Sequence, residues 1–311
     1  MASSSSPRIA WYGLGNMGRG MVKNMIEKGN YTAPFIISNR SRARSDKLAS
    51  TLPSDKTKVV DSIAEAVKEA DIIFTCVGDD AAIEETIAAA LKDKAAAKGK
   101  LFVDCSTVHP DTTNKLAKTI SDAGAELVAC PVFGAPAMAD NGQLVCVLAG
   151  PKEQVDRVRP YCKGVMGRAE IDYAGQPHGA ATRLKIIGNT FILNMVETLA
   201  EGHTLAEKSG LGSDNLHTFI ETMFPGPYTA YSNRLRQGDY YKRPEPLFAA
   251  SLARKDARHA QALAASCGVK MRAVEVADKH LEEVVQHMGD KGDIAGIYGA
   301  VRQESGLKFE N

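Results

Sequence analysis

The chain has 311 residues, room for about two domains, and its 44% hydrophobic and 24% charged residues are those of an ordinary globular protein. Lys plus Arg number 38 against 37 Asp plus Glu, so charge makes no case for nucleic acid or an anionic membrane as partner. No apolar run is long enough to span a membrane, and neither Met1 to Ser6 nor Lys308-Phe309-Glu310-Asn311 reads as an address signal, so a cytoplasmic protein is expected.

Strand and helix signals alternate through the first half. Ile9-Ala10-Trp11-Tyr12 reads as a strand and Met17 to Lys28 as a helix closed by Gly29-Asn30. Phe35 to Ser38 is a strand, Arg42 to Ser50 a helix and Val59-Val60 a short strand. Ser62-Ile63-Ala64-Glu65 has capping-box spacing and opens a helix to Glu69. A strand over Asp71 to Val77 precedes an Ala-rich helix from Ala81 to about Lys98. Lys100 to Asp104 is a strand, and Pro110 suits the first turn of a helix running to Asp122. Leu127 to Cys130 and Leu144 to Leu148 are further strands. This alternation predicts a parallel sheet with helices on both faces.

After Ile171-Asp172-Tyr173 the pattern changes. No strand signal follows His178, and the periodic stretch from Gly179 to Ser209 is twice an ordinary helix. Further helical segments run to Glu304. The six cysteines form no C-x-x-C pair and the histidines have no ligand spacing, so buried reduced thiols and no metal are expected.

Gly13-Leu14-Gly15-Asn16-Met17-Gly18 matches G-x-G-x-x-G directly after a strand and at a helix start, the context of a dinucleotide-binding turn. The first glycine makes the turn, the second lets a pyrophosphate approach, and the third packs helix on strand. The expected fold is therefore an α/β Rossmann domain with a parallel sheet over residues 1–177, plus an all-α domain over 178–311, joined by a long interdomain helix. The second strand ends Ser38-Asn39-Arg40-Ser41 without the acid that would hold an NAD ribose. A guanidinium there pairs with a 2′-phosphate, so NADP(H) is favoured over the reading of solvated loop arginines.

Ser106 and Thr107 lie at the C-terminal end of a strand, where ligands of parallel sheets bind. They read equally as nicotinamide contacts or, with Asp111, as helix caps. On a helical projection Lys185, Asn189, Ile192, Val196 and Leu199 share one stripe, while Arg183, Thr190, Asn194, Glu197 and Glu201 fall near the opposite side. A lysine on an apolar stripe suits proton transfer, and Asn189 one turn on would orient it; a lysine snorkelling to water fits the pattern as well.

The residues resemble the β-hydroxyacid dehydrogenase family over almost the whole chain. The motifs are Gly13 to Gly18, Asp104-Cys105-Ser106-Thr107-Val108, Pro131-Val132-Phe133-Gly134-Ala135, Lys185 with Asn189, and Phe248 followed by Lys255-Asp256. The resemblance implies that the first domain binds the cofactor, with Val77, Ser106, Thr107, Phe248 and Lys255 among its contacts. It implies that Lys185 is the acid–base group, that Phe133, Gly134 and Ala135 meet the substrate, and that the helical domain builds a homodimer. Arg40 resembles the NADPH-using glyoxylate and succinic semialdehyde reductases of that family. Two departures stand out: Phe133-Gly134-Ala135 replaces the usual Ser-Gly-Gly, and Gly188-Asn189 the frequent Asn-Asn. The expected activity is hydride transfer between NADP(H) and a small 3-hydroxy acid or its semialdehyde or keto counterpart. An imine or bulky-ketone reductase and a non-catalytic NADP-binding module are the alternatives.

Overall fold

The computed structural model describes residues 6–29 and 31–311; the readings of Met1 to Ser5 and of Asn30 fall outside them. The chain forms two compact units, one ending at Lys185 and the other beginning at Ile186.

The first unit is built on a nine-stranded sheet. Its opening elements are β1 (Ile9–Tyr12), α1 (Gly18–Lys28), β2 (Phe35–Ser38), α2 (Arg42–Ala49), β3 (Thr57–Val59), α3 (Ile63–Glu69) and β4 (Ile72–Thr75). There follow α4 (Asp80–Ala90), α5 (Lys94–Ala97), β5 (Leu101–Asp104), α6 (Pro110–Asp122) and β6 (Glu126–Ala129). The remainder is β7 (Val132–Phe133), α7 (Pro136–Asp140), β8 (Leu144–Gly150), α8 (Lys152–Val158) and β9 (Gly167–Ala174). The strand order is β3-β2-β1-β4-β5-β6-β8-β7, with β9 paired to β8. β1 lies between β2 and β4, Ala10 facing Ile36 and Ile73.

Side-chain alternation along these buried strands feeds two apolar layers. Trp11, Phe74 and Val103 pack with Met21 and Met25 on one face; Ala10, Ile73 and Phe102 pack with Ile83, Leu116 and Ile120 on the other. Trp11 stacks on Phe74 with ring centroids 5.5 Å apart.

The sheet departs from the all-parallel expectation. The first six strands run parallel, but β8 is antiparallel to both β6 and β7, and β9 is parallel to β8. The link between β7 and β8 holds only the short α7, less than the dozen or so residues a parallel crossover needs. The Ala-rich helix is two helices, because the Asp93 side chain accepts from Ala96 N at 3.1 Å and starts α5 anew.

α9 (Gly179–Lys208) is a single 30-residue helix whose first turns belong to the first unit. There Gly179 N donates to Asn114 Oδ1 at 2.9 Å, Thr113 meets Thr182 at 3.0 Å, and Ala181 packs with Ala129, Val147 and Ala149.

The second unit continues α9 and adds α10 (Ser213–Met223), α11 (Pro227–Arg236), α12 (Asp239–Lys242), α13 (Ala250–Ser266), α14 (Arg272–Met288) and α15 (Ile297–Glu304). Its apolar core gathers Leu193, Val196 and Leu199 of α9 with Ala253, Ala257, Leu281, Val284 and Tyr298. Charge is buried beside that core. Asp293 accepts from Arg234 at 2.7 Å and from the backbone of Leu247, Phe248 and Ala295. His280 bridges Glu197 at 2.8 Å and Glu304 at 3.2 Å, and the hydrogen bond to Glu197 holds its pKa up at about 9. His203 bonds Ser232 at 2.8 Å and Ser213 at 2.5 Å; burial first, then Arg236 and His217, push its pKa down to about 4.

These contacts correct one side of the helical projection. Lys185, Asn189, Val196 and Leu199 are buried as drawn, but Thr190 and Glu197 are buried too, the latter because His280 receives its carboxylate. The open side of α9 carries three large apolar residues, Ile187 44% exposed, Phe191 72% and Leu205 69%, among the exposed Arg183, Thr198 and Glu201.

Candidate active site

The glycine turn is assembled by close approach. Gly13 has φ +101°, and a methyl group there would lie 2.2 Å from the Cys76 carbonyl oxygen; one on Gly18 would lie 2.1 Å from the Gly13 oxygen. A methyl on Gly15 meets nothing within 4 Å, so this side of the loop is open. Trp11 Nε1 donates to the Gly13 oxygen at 2.8 Å, and Gly13 N donates to the Ser38 oxygen at 3.1 Å. Met17 begins α1 without a side-chain capping bond, and the first turn carries no acid. An open glycine loop leading into an uncapped, acid-free helix start fits the diphosphate of a dinucleotide.

At the end of β2, Asn39 takes the place of an acid and is part of the loop itself. Its Oδ1 accepts from Leu14 N at 2.9 Å and its Nδ2 donates to the Ser41 oxygen at 3.1 Å. Arg42 is held by Asp46 and Asp61. Arg40 and Ser41 are exposed, and among the described residues no hydrogen bond or ion pair engages Arg40.

At the ends of β4 and β5 a buried knot forms around Asp104. Its Oδ1 accepts from Thr75 at 2.8 Å and from the Ser106 hydroxyl at 2.7 Å, while Ser106 Oγ in turn accepts from Val77 N at 2.9 Å. Ser106, only 1% exposed, is thus committed to the scaffold beneath Val77. Val77 borders the glycine turn, its Cγ1 3.3 Å from a methyl placed on Gly13. Neither Thr107 nor Asp111 is the helix cap: His109 is, its Nδ1 accepting from Asp111 N at 3.2 Å with Pro110 in the first turn.

β7 carries the departure from the Ser-Gly-Gly pattern. Phe133 pairs with Val145 of β8, and the chain turns at Gly134, φ +142°, where a methyl group would lie 2.6 Å from Leu144 Cδ2. Gly134 and Ala135 are exposed. The Lys185 ammonium lies over the Phe133 ring, Nζ 4.5 Å from its centroid. Lys185 is 8% exposed, so a charged nitrogen is held largely away from bulk water.

In the second unit, Asn189 and Lys255 converge on a residue to which sequence reasoning gave no role. Asp256, 2% exposed, accepts from Asn189 Nδ2 at 2.6 Å and lies 3.3 Å from Lys255 Nζ. Its position next to Lys255 was visible in the sequence; its meeting with α9 was not. Phe248 is fixed by its backbone N–H donating to Asp293 Oδ2 at 3.1 Å and by Ile294 N donating to its carbonyl at 2.8 Å.

The cysteines are all free thiols, but Cys267 is exposed and Cys76 half-buried, against the expectation of burial. Cys130, Cys146 and Cys162 bring their sulfurs within 4.8 Å of one another, a convergence that linear spacing hides. They belong to the same apolar layer as Trp11 and Phe74, and the Cys162 thiol donates to the Val158 oxygen at 3.6 Å.

Residues 8–175 match the family model described as the NAD binding domain of 6-phosphogluconate dehydrogenase. Residues 179–301 match that of the NAD-binding domain of NADP-dependent 3-hydroxyisobutyrate dehydrogenase. The chain is 38% identical to the NADH-dependent oxidoreductase ucdB of Aspergillus ustus, over 94% of this chain and 98% of that protein. It is 28% identical to glyoxylate/succinic semialdehyde reductase 1 of Arabidopsis thaliana, over 94% of this chain and 98% of the relative. The solved structure of 3-hydroxyisobutyrate dehydrogenase from Mycobacterium tuberculosis with L-serine shares the fold: TM-score 0.77 at 23% identity, covering 95% of this chain and 99% of that one.

Proposed function

The chain belongs to the β-hydroxyacid dehydrogenase family, and from that premise we propose that it is an NADP(H)-dependent oxidoreductase interconverting a small 3-hydroxy acid and its semialdehyde or keto counterpart, with Lys185 as the acid–base group. The observation that carries this reading is the lysine itself, 8% exposed on α9 and one turn before Asn189, whose amide is already oriented by Asp256. In the reducing direction the Lys185 ammonium gives its proton to the carbonyl oxygen; in the oxidising direction the amine takes the hydroxyl proton. NADPH supplies the hydride. Residues 1–177 hold it, through Gly13 to Gly18, Asn39 to Ser41, Val77 and Thr107. Support for NADP over NAD comes from Arg40, which is exposed and engaged by none of the described residues, and from the missing acid at Asn39. Because Phe133 offers no hydroxyl and only the backbone near Gly134 remains as donor, a substrate carboxylate is bound weakly, and uncharged carbonyl compounds are accepted as well.

The test is a panel of succinic semialdehyde, glyoxylate, β-keto acids, uncharged aldehydes and a cyclic imine, assayed with NADPH and with NADH. Lys185→Ala should lower kcat by about 10² to 10⁴-fold while NADPH affinity holds. A variant that keeps most of its kcat, or wild-type turnover with the imine alone, overturns the reading.

We further propose a cytoplasmic homodimer. No helix among the described residues is long and apolar enough to cross a membrane. The dimer is supported by the apolar face of Ile187, Phe191 and Leu205 on α9 with Phe219 and Met223 on α10, all at least 44% exposed. Light scattering at micromolar concentration checks it: a stable monomer rules it out.

A further inference from the structure

We propose that Phe133 is a positioning residue for Lys185: its ring face attracts the ammonium and helps to place it, without itself accepting a proton. The inference rests on the acid–base reading of Lys185 for its kinetic consequence, but not for the contact itself.

The contact is within the range of cation–π attraction, Nζ 4.5 Å from the ring centroid. The negative face of an aromatic ring attracts an ammonium most where water is scarce, and Lys185 is 8% exposed. Both partners stand on rigid supports in the same unit. The ring is set by the pairing of Phe133 with Val145 and by the tight turn at Gly134, whose Cα has no room for a side chain beside Leu144. The lysine backbone is set by the start of α9, through Gly179 on Asn114 and Thr182 on Thr113. Phe133, Ala180 and Leu184 pack on one small apolar cluster built on Ala129, Val147, Ala149 and Ala181. The four-carbon lysine stem has several rotamers, and the ring face favours those that place the ammonium over it.

The chemistry of the ring matters as much as its place. A hydroxyl at this position would accept a hydrogen bond from the ammonium and compete for the proton. A ring face has no lone pair to take one. It holds the charge while leaving each N–H aimed elsewhere, which suits a group that must deliver a proton to a carbonyl oxygen. Phe133 thus replaces a polar contact to substrate with an apolar contact to the catalytic group.

The experiment has two arms. In the first, protein labelled with [ε-13C]lysine is examined by NMR, the Lys185 signal being assigned by its loss in Lys185→Ala. Ring-current shielding should move that signal upfield; the shift should vanish in Phe133→Leu and persist in Phe133→Tyr. An unshifted signal in the wild type overturns the proposal. In the second, mono-, di- and trifluorophenylalanine are placed at position 133, which drains the ring face while nearly keeping its size. With succinic semialdehyde and NADPH as probes, kcat should fall stepwise, to about one-tenth at the trifluoro ring, with both KM values nearly constant. If Lys185→Ala turns over at the wild-type rate, the acid–base reading has failed. If Lys185→Ala is inactive and the fluorine series is flat, that reading stands and the role assigned to Phe133 is overturned.

Discussion

In the unit that ends at Lys185 the buried polar groups are mostly hydroxyls and amides: Asn24, Ser38, Thr75, Ser106 and Thr113, with Asp104 satisfied by two hydroxyls. In the unit that begins at Ile186 they include Glu197, Lys255, Asp256, Asp293 and Arg302, together with His203, His217 and His280. Strands can bury an unbroken apolar surface against helices on both sides. Short helices of differing direction leave gaps that long charged side chains fill, each needing a counterpart. Among the described residues of the first unit, buried charge is limited to Asp104 and Lys185, and Arg40 stands at the surface. In the second, charge holds the fold.

The sharpest way to break this contrast is Asp293→Ala. It removes the acceptor of four bonds and leaves the Arg234 guanidinium, largely buried, with Asp239 alone. Loss of one partner of a buried pair costs about 3–5 kcal/mol. Denaturant unfolding followed by far-UV circular dichroism should show the loss, while fluorescence of Trp11, the single tryptophan, should move less because it reports the first unit. A dichroism midpoint that does not move would mean the charged interior is dispensable.

Acidity comes next. His280 has its pKa raised from 6.5 to about 9, so its contribution is fully present below about 6.5 and is lost as pH rises to about 9. His203 has its pKa lowered from 6.5 to about 4, so its contribution is present above about 6.5 and is lost as pH falls to about 4. Stability of the second unit should therefore peak near pH 6.5 and decline on both sides. In thermal melts across that range, His280→Gln should flatten the alkaline limb and His203→Gln the acid limb. Limbs of unchanged slope in both variants would assign the pH dependence to other groups.

Arg40→Ala should have the smallest effect on the fold, within about 0.5 kcal/mol, because the side chain is exposed and engages no neighbour among the described residues. Its effect should appear on the cofactor instead: NADPH weakened by about 1.5–3 kcal/mol and NADH hardly at all, read by fluorescence titration. Equal losses for both cofactors, or a wild-type preference for NADH, would remove Arg40 from the recognition of the 2′-phosphate.

The same contrast explains what could be read in advance. Strands such as Ile9–Tyr12 and Phe35–Ser38, and the helix opened by Pro110, announce themselves locally through apolar runs, glycine and proline. β7 was missed because two residues carry no period, and β9 because its residues are mostly half-buried and polar. Lys185 and Asn189 were found because a helix repeats every 3.6 residues. Glu197 was misplaced by the same projection, because its partner His280 lies on another helix and no local pattern records that meeting. The meeting of Asp256 with Asn189 and the approach of Cys130, Cys146 and Cys162 were invisible for the same reason. Ser106 stood at the expected strand end, yet its hydroxyl is spent on Asp104 and Val77, a commitment that position alone does not reveal.

The boundary between the compact units falls between Lys185 and Ile186, inside the unbroken α9, so Lys185 and Asn189 lie on opposite sides of it. Angular phase along a helix accumulates at about 100° per residue. A single residue inserted between Lys185 and Asn189 would carry Asn189 about a quarter turn further round the helix from the lysine, although neither side chain was altered. Recombination with a relative at this junction would thus be tolerated only when the crossover preserves the count of residues. The number of residues between Lys185 and Asn189 is as much a part of the site as their identities.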